Sequence, residues 1–395
     1  SPTLRLSFSL PSSFSSYLIS ISLHSIQSPL FFSTLFISFS HFPSSPLLSF
    51  LLLSSSDPSL LQMSSDDSPI EFVDITNDEG LRARLLSWGA TLVSLWFHDK
   101  EGREHDCVLG YDSIQEYEKD GVQMGRTIGR VSNRIKEGLF TLEDRKIQLE
   151  KNEGNNHLHG GSKGCSQRNW SIHRRSSNSV TFLITQREEL DGYPGDAMIK
   201  CTYTVNDLNQ LVIEHRAETT VPSPIAMTNH AYWNLDEDAT TCLDMHLFVR
   251  AHYYLPVDAE QCPNGDTKPV FGTSYNFNKM RRIGPSPPID HDLILTEHDK
   301  NQIVLALECP STGIRMTMRT TYPSIHIYSA EHFDGSIHGK GGRSYPEAAG
   351  LAIEPQQYTS AVHFDWFPPV IVHPDTPYEQ EIIYSFQHIQ PKLTA

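Results

Sequence analysis

The chain reads as an all-β protein, a large antiparallel β-sandwich with very little helix. Apolar and polar residues alternate with a period of two in several short runs, turn dipeptides close those runs, and helical periodicity is nearly absent. Residues 81–86 lead into 89–97, two strands around a tight turn at Gly89. Residues 113–119 have the pattern of one short helical turn. Strand alternation returns at 139–142, 180–184, 200–205 and 211–215. Asp191-Gly192, Asn206-Asp207 and Asn264-Gly265 supply turn chemistry between such runs. No Pro/Gly-rich linker and no internal repeat divides the chain after Met63. Short strands at regular spacing with little helix predict one large sandwich.

Residues 1–62 are a different kind of sequence, built mainly of Ser, Leu, Phe, Ile and Pro, with Arg5 the one Lys or Arg and Asp57 the one acidic residue. A transit peptide would be rich in arginine, and a signal peptide would open on a basic region. The apolar stretches at 29–39 and 47–53 fall short of the roughly 20 residues of a membrane span. The segment is therefore expected to be a disordered translated leader or an unusual targeting segment, with the functional domain at 63–395.

The formal net charge is −16, and Arg5 and Asp57 cancel within the leader. An acidic chain without a basic run argues against nucleic acid and anionic membranes as partners. Cys107, Cys165, Cys201, Cys242, Cys262 and Cys309 are scattered, with no C-x-x-C pair. That suits reduced thiols in a cytoplasmic enzyme better than a disulfide framework or a zinc site.

Chemistry gathers in four segments. Thr228-Asn229-His230-Ala231-Tyr232-Trp233-Asn234-Leu235 sets a histidine among aromatic and amide side chains, which could line a sugar site. Asn155-Asn156-His157-Leu158-His159-Gly160-Gly161 adds imidazoles ahead of two glycines, where backbone can approach a ligand. On an extended segment His157 and His159 would share a face, a pattern that also reads as a metal pair, but no nearby carboxylate or third histidine completes a ligand set. Leu351-Ala352-Ile353-Glu354-Pro355-Gln356 places a carboxylate on an apolar strand, costly unless paired or working. Gly129-Arg130-Val131-Ser132-Asn133-Arg134-Ile135 brings a guanidinium whose fork could grip hydroxyls. Taken alone, His230 reads as a core histidine and Glu354 as a rim ion pair.

In this order the motifs resemble the galactose mutarotase (aldose 1-epimerase) family, from about Ile70 to about Phe386. The resemblance implies a twisted sandwich with a sugar cleft on one concave face, no metal and no cofactor. It implies His230 as the general acid toward the ring oxygen and Glu354 as the general base toward the anomeric hydroxyl. His159, Asn133, Arg134, Asp290, Ala231, Tyr232, His326 and Gln356 are the expected substrate-binding positions. Asp292 is the rival of Asp290 if the loop is shifted. Where the family often has Pro-Gly-x-Gln, this chain has Pro323-Ser324-Ile325-His326, so His326 stands in for a sugar-touching glutamine. The alternation Ile325-His326-Ile327 puts it on the face opposite two isoleucines, the cleft side. The family's Pro-Asp-Ala-Val beyond Gln356 is here Thr359-Ser360-Ala361-Val362. The function so implied is interconversion of α and β anomers of a free hexose. A hexose-6-phosphate epimerase would need a basic cluster, with Arg281-Arg282 or Lys163 and Arg168 as candidates. A non-catalytic sugar-binding protein of the same fold is the reading from another class.

Overall fold

The computed structural model describes residues 68–285 and 288–390. The leader at 1–62 and the expected boundary at 63 lie outside the described residues.

In the strand Ala197–Asn206 the residues Ala197, Ile199, Cys201, Tyr203 and Val205 are sealed from solvent while their neighbours are half-exposed. The next strand, Gln210–Thr219, repeats the pattern through Leu211, Ile213, His215 and Ala217. Asn206 Oδ1 accepts from Leu208 N–H (3.0 Å) and Asn209 takes φ 52°, so the turn is tight. The turn fixes the register Asn206↔Gln210 through Ala197↔Thr219 and points both apolar sets to one side. Around this pair grows a nine-stranded antiparallel sheet. Ser179–Gln186 and Ser171–Arg175 extend it on one side, and Tyr378–His388, Ile314–Thr320, Leu305–Glu308, His246–Val249 and Arg281–Arg282 on the other.

A second sheet has six strands in the order Tyr232–Trp233, Leu351–Gln356, Ser324–Tyr328, Asp290–Leu295, Ala251–Tyr254 and Lys268–Pro269. Its central strands are buried on both faces, so alternation here separates two kinds of interior. Leu293, Ile325, Ile327, Leu351 and Ile353 join the core between the sheets. Trp233 stacks there on Tyr384 and Phe386, with ring centroids 4.7 and 6.0 Å away.

A four-stranded sheet precedes both and contains the first expected strands, as Arg82–Leu86 and Thr91–His98, with Phe72–Thr76 and Glu104–Asp106 at its edges. Gly89 turns between them at φ +66°, where a Cβ would meet Ser166 O at 2.8 Å. The Leu109 N–H donates to Tyr232 O (2.9 Å), tying this sheet to the six-stranded one. The short helix is Ile114–Lys119, started by a capping box: Ser113 Oγ accepts from Glu116 N–H, and the Glu116 carboxylate accepts from Ser113 N–H.

Candidate active site on the six-stranded sheet

Strand register assembles the site. Asp292 pairs with His326, and His326 pairs with Glu354, so three polar side chains lie abreast on the face turned away from the isoleucines. Asp290 lies two residues along on the same face. Asp290, Tyr328, Ala352 and Tyr232 form the parallel row beside those three.

His230 enters from the turn before Tyr232. Its backbone N–H donates to Arg126 O (2.8 Å), and its C=O accepts from Gly125 N–H (2.9 Å). This two-sided grip holds His230 Nε2 at 3.4 Å from Glu354 Oε1, with both side chains nearly sealed from solvent. The ring rests 5.0 Å from Tyr232 and meets His159 edge-on at 5.4 Å. His159 takes φ 52°, and its Nδ1 accepts the Asn133 N–H (3.1 Å), which requires the tautomer with the proton on Nε2. The following Gly160 has φ +81°, and a Cβ there would sit 2.1 Å from Gly129 O. The close approach that this glycine permits is thus to the protein's own backbone.

Burial acts on the pair in the same direction. It disfavours the charged form of each group, pulling His230 down to about 3 and pushing Glu354 up to about 8. On Glu354 the His326 charge works downward, while Asp290 and Asp292 work upward. His159 is also held well below the ordinary histidine range by burial and by His230 beside it. Both shifts favour a proton on Glu354 over a proton on His230. The raised Glu354 has the direction a general base needs, and the lowered His230 disfavours an imidazolium in the buried pair. The physical reason is that a buried imidazolium costs more than a buried carboxylic acid.

The other expected positions divide. Asn133, Arg134, Asp290 and His326 line one depression, together with Asp292, Gln261, Pro263 and Thr359. Arg134 is gripped by Glu153, which accepts Nη2–H at 2.6 Å and Nε–H at 3.1 Å. His326 lies on the cleft side, but both its ring nitrogens are engaged: Nε2 with Asp290 Oδ1 at 2.7 Å, and Nδ1 with Asp292 Oδ1 at 2.6 Å and, at the longer 3.3 Å, with Asn133 Nδ2. It has no nitrogen left to give a hydroxyl, contrary to the expectation of one sugar hydrogen bond. Asp290 and Asp292 thus both line the depression. Asp292 is the deeper, accepting also from Gln356 Nε2 (3.1 Å) and Thr359 N–H (2.8 Å). Gln356 is sealed beneath Asp292, Ala231 is buried, and Tyr232 packs under His230 with its hydroxyl on Val122 O.

Two expectations are corrected. Trp233 is a core residue, with no surface for stacking a sugar, because strand alternation sends it to the face opposite Tyr232. His157 does not share a face with His159. Its Nδ1 meets Glu150 O (2.8 Å) and its Nε2 meets the Tyr193 hydroxyl (2.9 Å), while the left-handed turn at His159 swings the second imidazole away. Glu153 and the loop carrying Gln261 and Pro263 have no sequence signal, and Thr359 is marked only by the departure at Thr359-Ser360-Ala361-Val362. For Asp292 the signal was the i, i+2 spacing to Asp290.

The β-rich fold is shared with solved galactose mutarotase-like structures. The chain belongs to the aldose 1-epimerase family, whose model matches residues 71–385. A galactose mutarotase of Sus scrofa is 32% identical over 324 residues, covering 80% of this chain and 94% of that protein. An aldose 1-epimerase of Escherichia coli is 28% identical, covering 82% of this chain and 97% of the relative. Among solved structures, an aldose epimerase homologue from C. elegans is 40% identical with a TM-score of 0.79, covering 82% of this chain and all of that one. A galactose 1-epimerase from Lactobacillus acidophilus is 25% identical with a TM-score of 0.72, covering 82% of this chain and 97% of that one.

Proposed function

We propose that the chain is an aldose 1-epimerase, an isomerase that exchanges the α and β anomers of a free hexose such as galactose or glucose. The observation that carries this is the buried His230–Glu354 pair, 3.4 Å apart, with His159 edge-on to His230 and His326 across the strand pair from Glu354. Mutarotation needs a proton taken from the C1 hydroxyl and one given to the ring oxygen. The ring opens to the aldehyde, rotation about C1–C2 presents the other carbonyl face, and reclosure reverses the transfers. A pair holding one proton between two groups is suited to this, because each half of the cycle returns the proton count to its start.

In this reading Glu354 takes the C1 hydroxyl proton and His230 gives its proton to the ring oxygen. The proton stored on Glu354 moves first to His230 across their 3.4 Å contact. His159 offers its Nε2–H toward the ring oxygen, while Asp290, Asn133 and the Nη1 side of Arg134 hold hydroxyls. Tyr232 and Gln356 act from beneath.

A phosphorylated hexose is disfavoured. Arg134 is the one Lys or Arg lining the depression, and it is paired with Glu153. Arg281 and Arg282 form an edge strand of the other sheet, Arg281 donating to Ser274 O and Asn276 O and Arg282 pairing with Asp244. Six buried free thiols support a cytoplasmic setting. No helix among the described residues is long and apolar enough to cross a membrane. The test is anomer exchange by purified protein on galactose, glucose and glucose 6-phosphate in parallel. Exchange of free hexoses above the phosphate is expected, and none on any of the three overturns the reading.

A further inference from the structure

We propose that His326 is a positioning residue of the acid–base pair: an imidazolium clamped between Asp290 and Asp292 that orients Asp290 at the depression and sets the electrostatic field at Glu354. The proposal rests on the epimerase reading for its effect on rate, and on geometry alone for the clamp. The two ring nitrogens sit 2.7 and 2.6 Å from carboxylate oxygens on the neighbouring strand, on a side chain 8% exposed. An imidazole can donate from both nitrogens only when protonated, so two carboxylates at these distances select the cation. Burial works against that charge, and the two carboxylates outweigh it, holding His326 well above the ordinary histidine range. Asp290 responds in kind. Burial would raise it, but the hydrogen bond and charge of His326 hold it down at about 2. Its second oxygen makes no hydrogen bond among the described residues, which leaves an ionised acceptor at the depression.

The same cation stands directly across the strand pair from Glu354. The charges bearing on Glu354 are His326 and Arg134, which pull it down, and Asp290 and Asp292, which push it up. His230 faces it at 3.4 Å as a neutral ring, and the phenols of Tyr232 and Tyr328 are held protonated above the working range. His326 is the largest of the downward charges, so it limits how far burial lifts Glu354. A neutral glutamine, which the family often has here, could bridge hydroxyls but could not exert this pull. In this chain residue 326 instead holds the carboxylate of Asp290.

The test uses His326→Gln and the double variant His326→Gln/Asp292→Asn in the full chain. His326→Gln removes the cation and leaves two carboxylates facing Glu354. The alkaline limb of kcat/KM on galactose is expected to move up by about 1 pH unit or more, the usual size of a close charge's effect. The double variant removes one carboxylate as well, and its limb is expected to return toward wild type. A uniform loss of kcat/KM with the limb unmoved, or a limb still displaced in the double variant, overturns the proposal and leaves His326 to packing. Nitrogen NMR of the wild-type imidazole gives an answer independent of turnover. Two protonated nitrogens on His326 through about pH 8 are expected, and a neutral ring at pH 7 overturns the clamp. Wild-type protein that exchanges no anomers would sink the epimerase reading while this spectrum still decides the clamp.

Discussion

Replacing Glu354 with glutamine should stabilise the fold at alkaline pH while abolishing most activity. Glu354 is 1% exposed, and its Oε2 has no hydrogen-bond partner. Burial lifts it from 4.5 to about 8, a rise of about 3.5 pH units. At 1.36 kcal/mol per unit this corresponds to about 5 kcal/mol between the protonation states. The sign follows from proton linkage. Between 4.5 and 8 the folded chain binds a proton that the unfolded chain has released, so this group's contribution to stability is complete below 4.5 and is lost as pH rises through 8. Glutamine is near-isosteric and does not titrate, so it escapes that loss. Unfolding free energies of wild type and Glu354→Gln, measured by urea denaturation between about pH 5 and pH 9, should diverge in favour of the variant by about 4 kcal/mol. Other titrating groups are common to both proteins and cancel in the difference. Parallel curves would refute the claim that Glu354 is held protonated by burial.

The remaining predictions concern turnover and local geometry. Glu354→Gln and His230→Asn should each lower kcat by at least about 10²-fold with the fold intact by circular dichroism, and near-wild-type turnover would remove that residue from its role. In wild type, kcat/KM should fall above about pH 8 as the pair loses its shared proton, and a limb near pH 6 would contradict the raised Glu354. EDTA should leave activity unchanged, since the cycle uses side chains only; loss restored by one particular metal would reverse this. Trp233→Ala should cost about 3–5 kcal/mol of stability through the core against Tyr384 and Phe386, measured by denaturant titration. Gly160→Ala should lower both Tm and kcat, because a Cβ at 2.1 Å from Gly129 O must displace the turn that carries His159.

Much of this is legible in the sequence. Strand alternation at 200–205 and 211–215 depends only on neighbours along the chain, and those runs appear within Ala197–Asn206 and Gln210–Thr219. The helix at Ile114–Lys119 follows from a local capping box. The same period-two rule placed His326 opposite Ile325 and Ile327, since the side of a strand is a local property. What lies across from that side is not local. The engagement of both His326 nitrogens depends on the register between Asp290–Leu295 and Ser324–Tyr328, and the 3.4 Å approach of His230 to Glu354 on the turn at Arg126. Trp233 and Tyr232 are adjacent in sequence, yet one is core and the other supports His230, because the sheet has interior on both faces. His157 parts from His159 through one left-handed residue. The proton balance of the pair is likewise tertiary: it depends on how completely water is excluded and on which charges long-range pairing sets nearby, so residue types named the chemistry while packing decided where the proton rests.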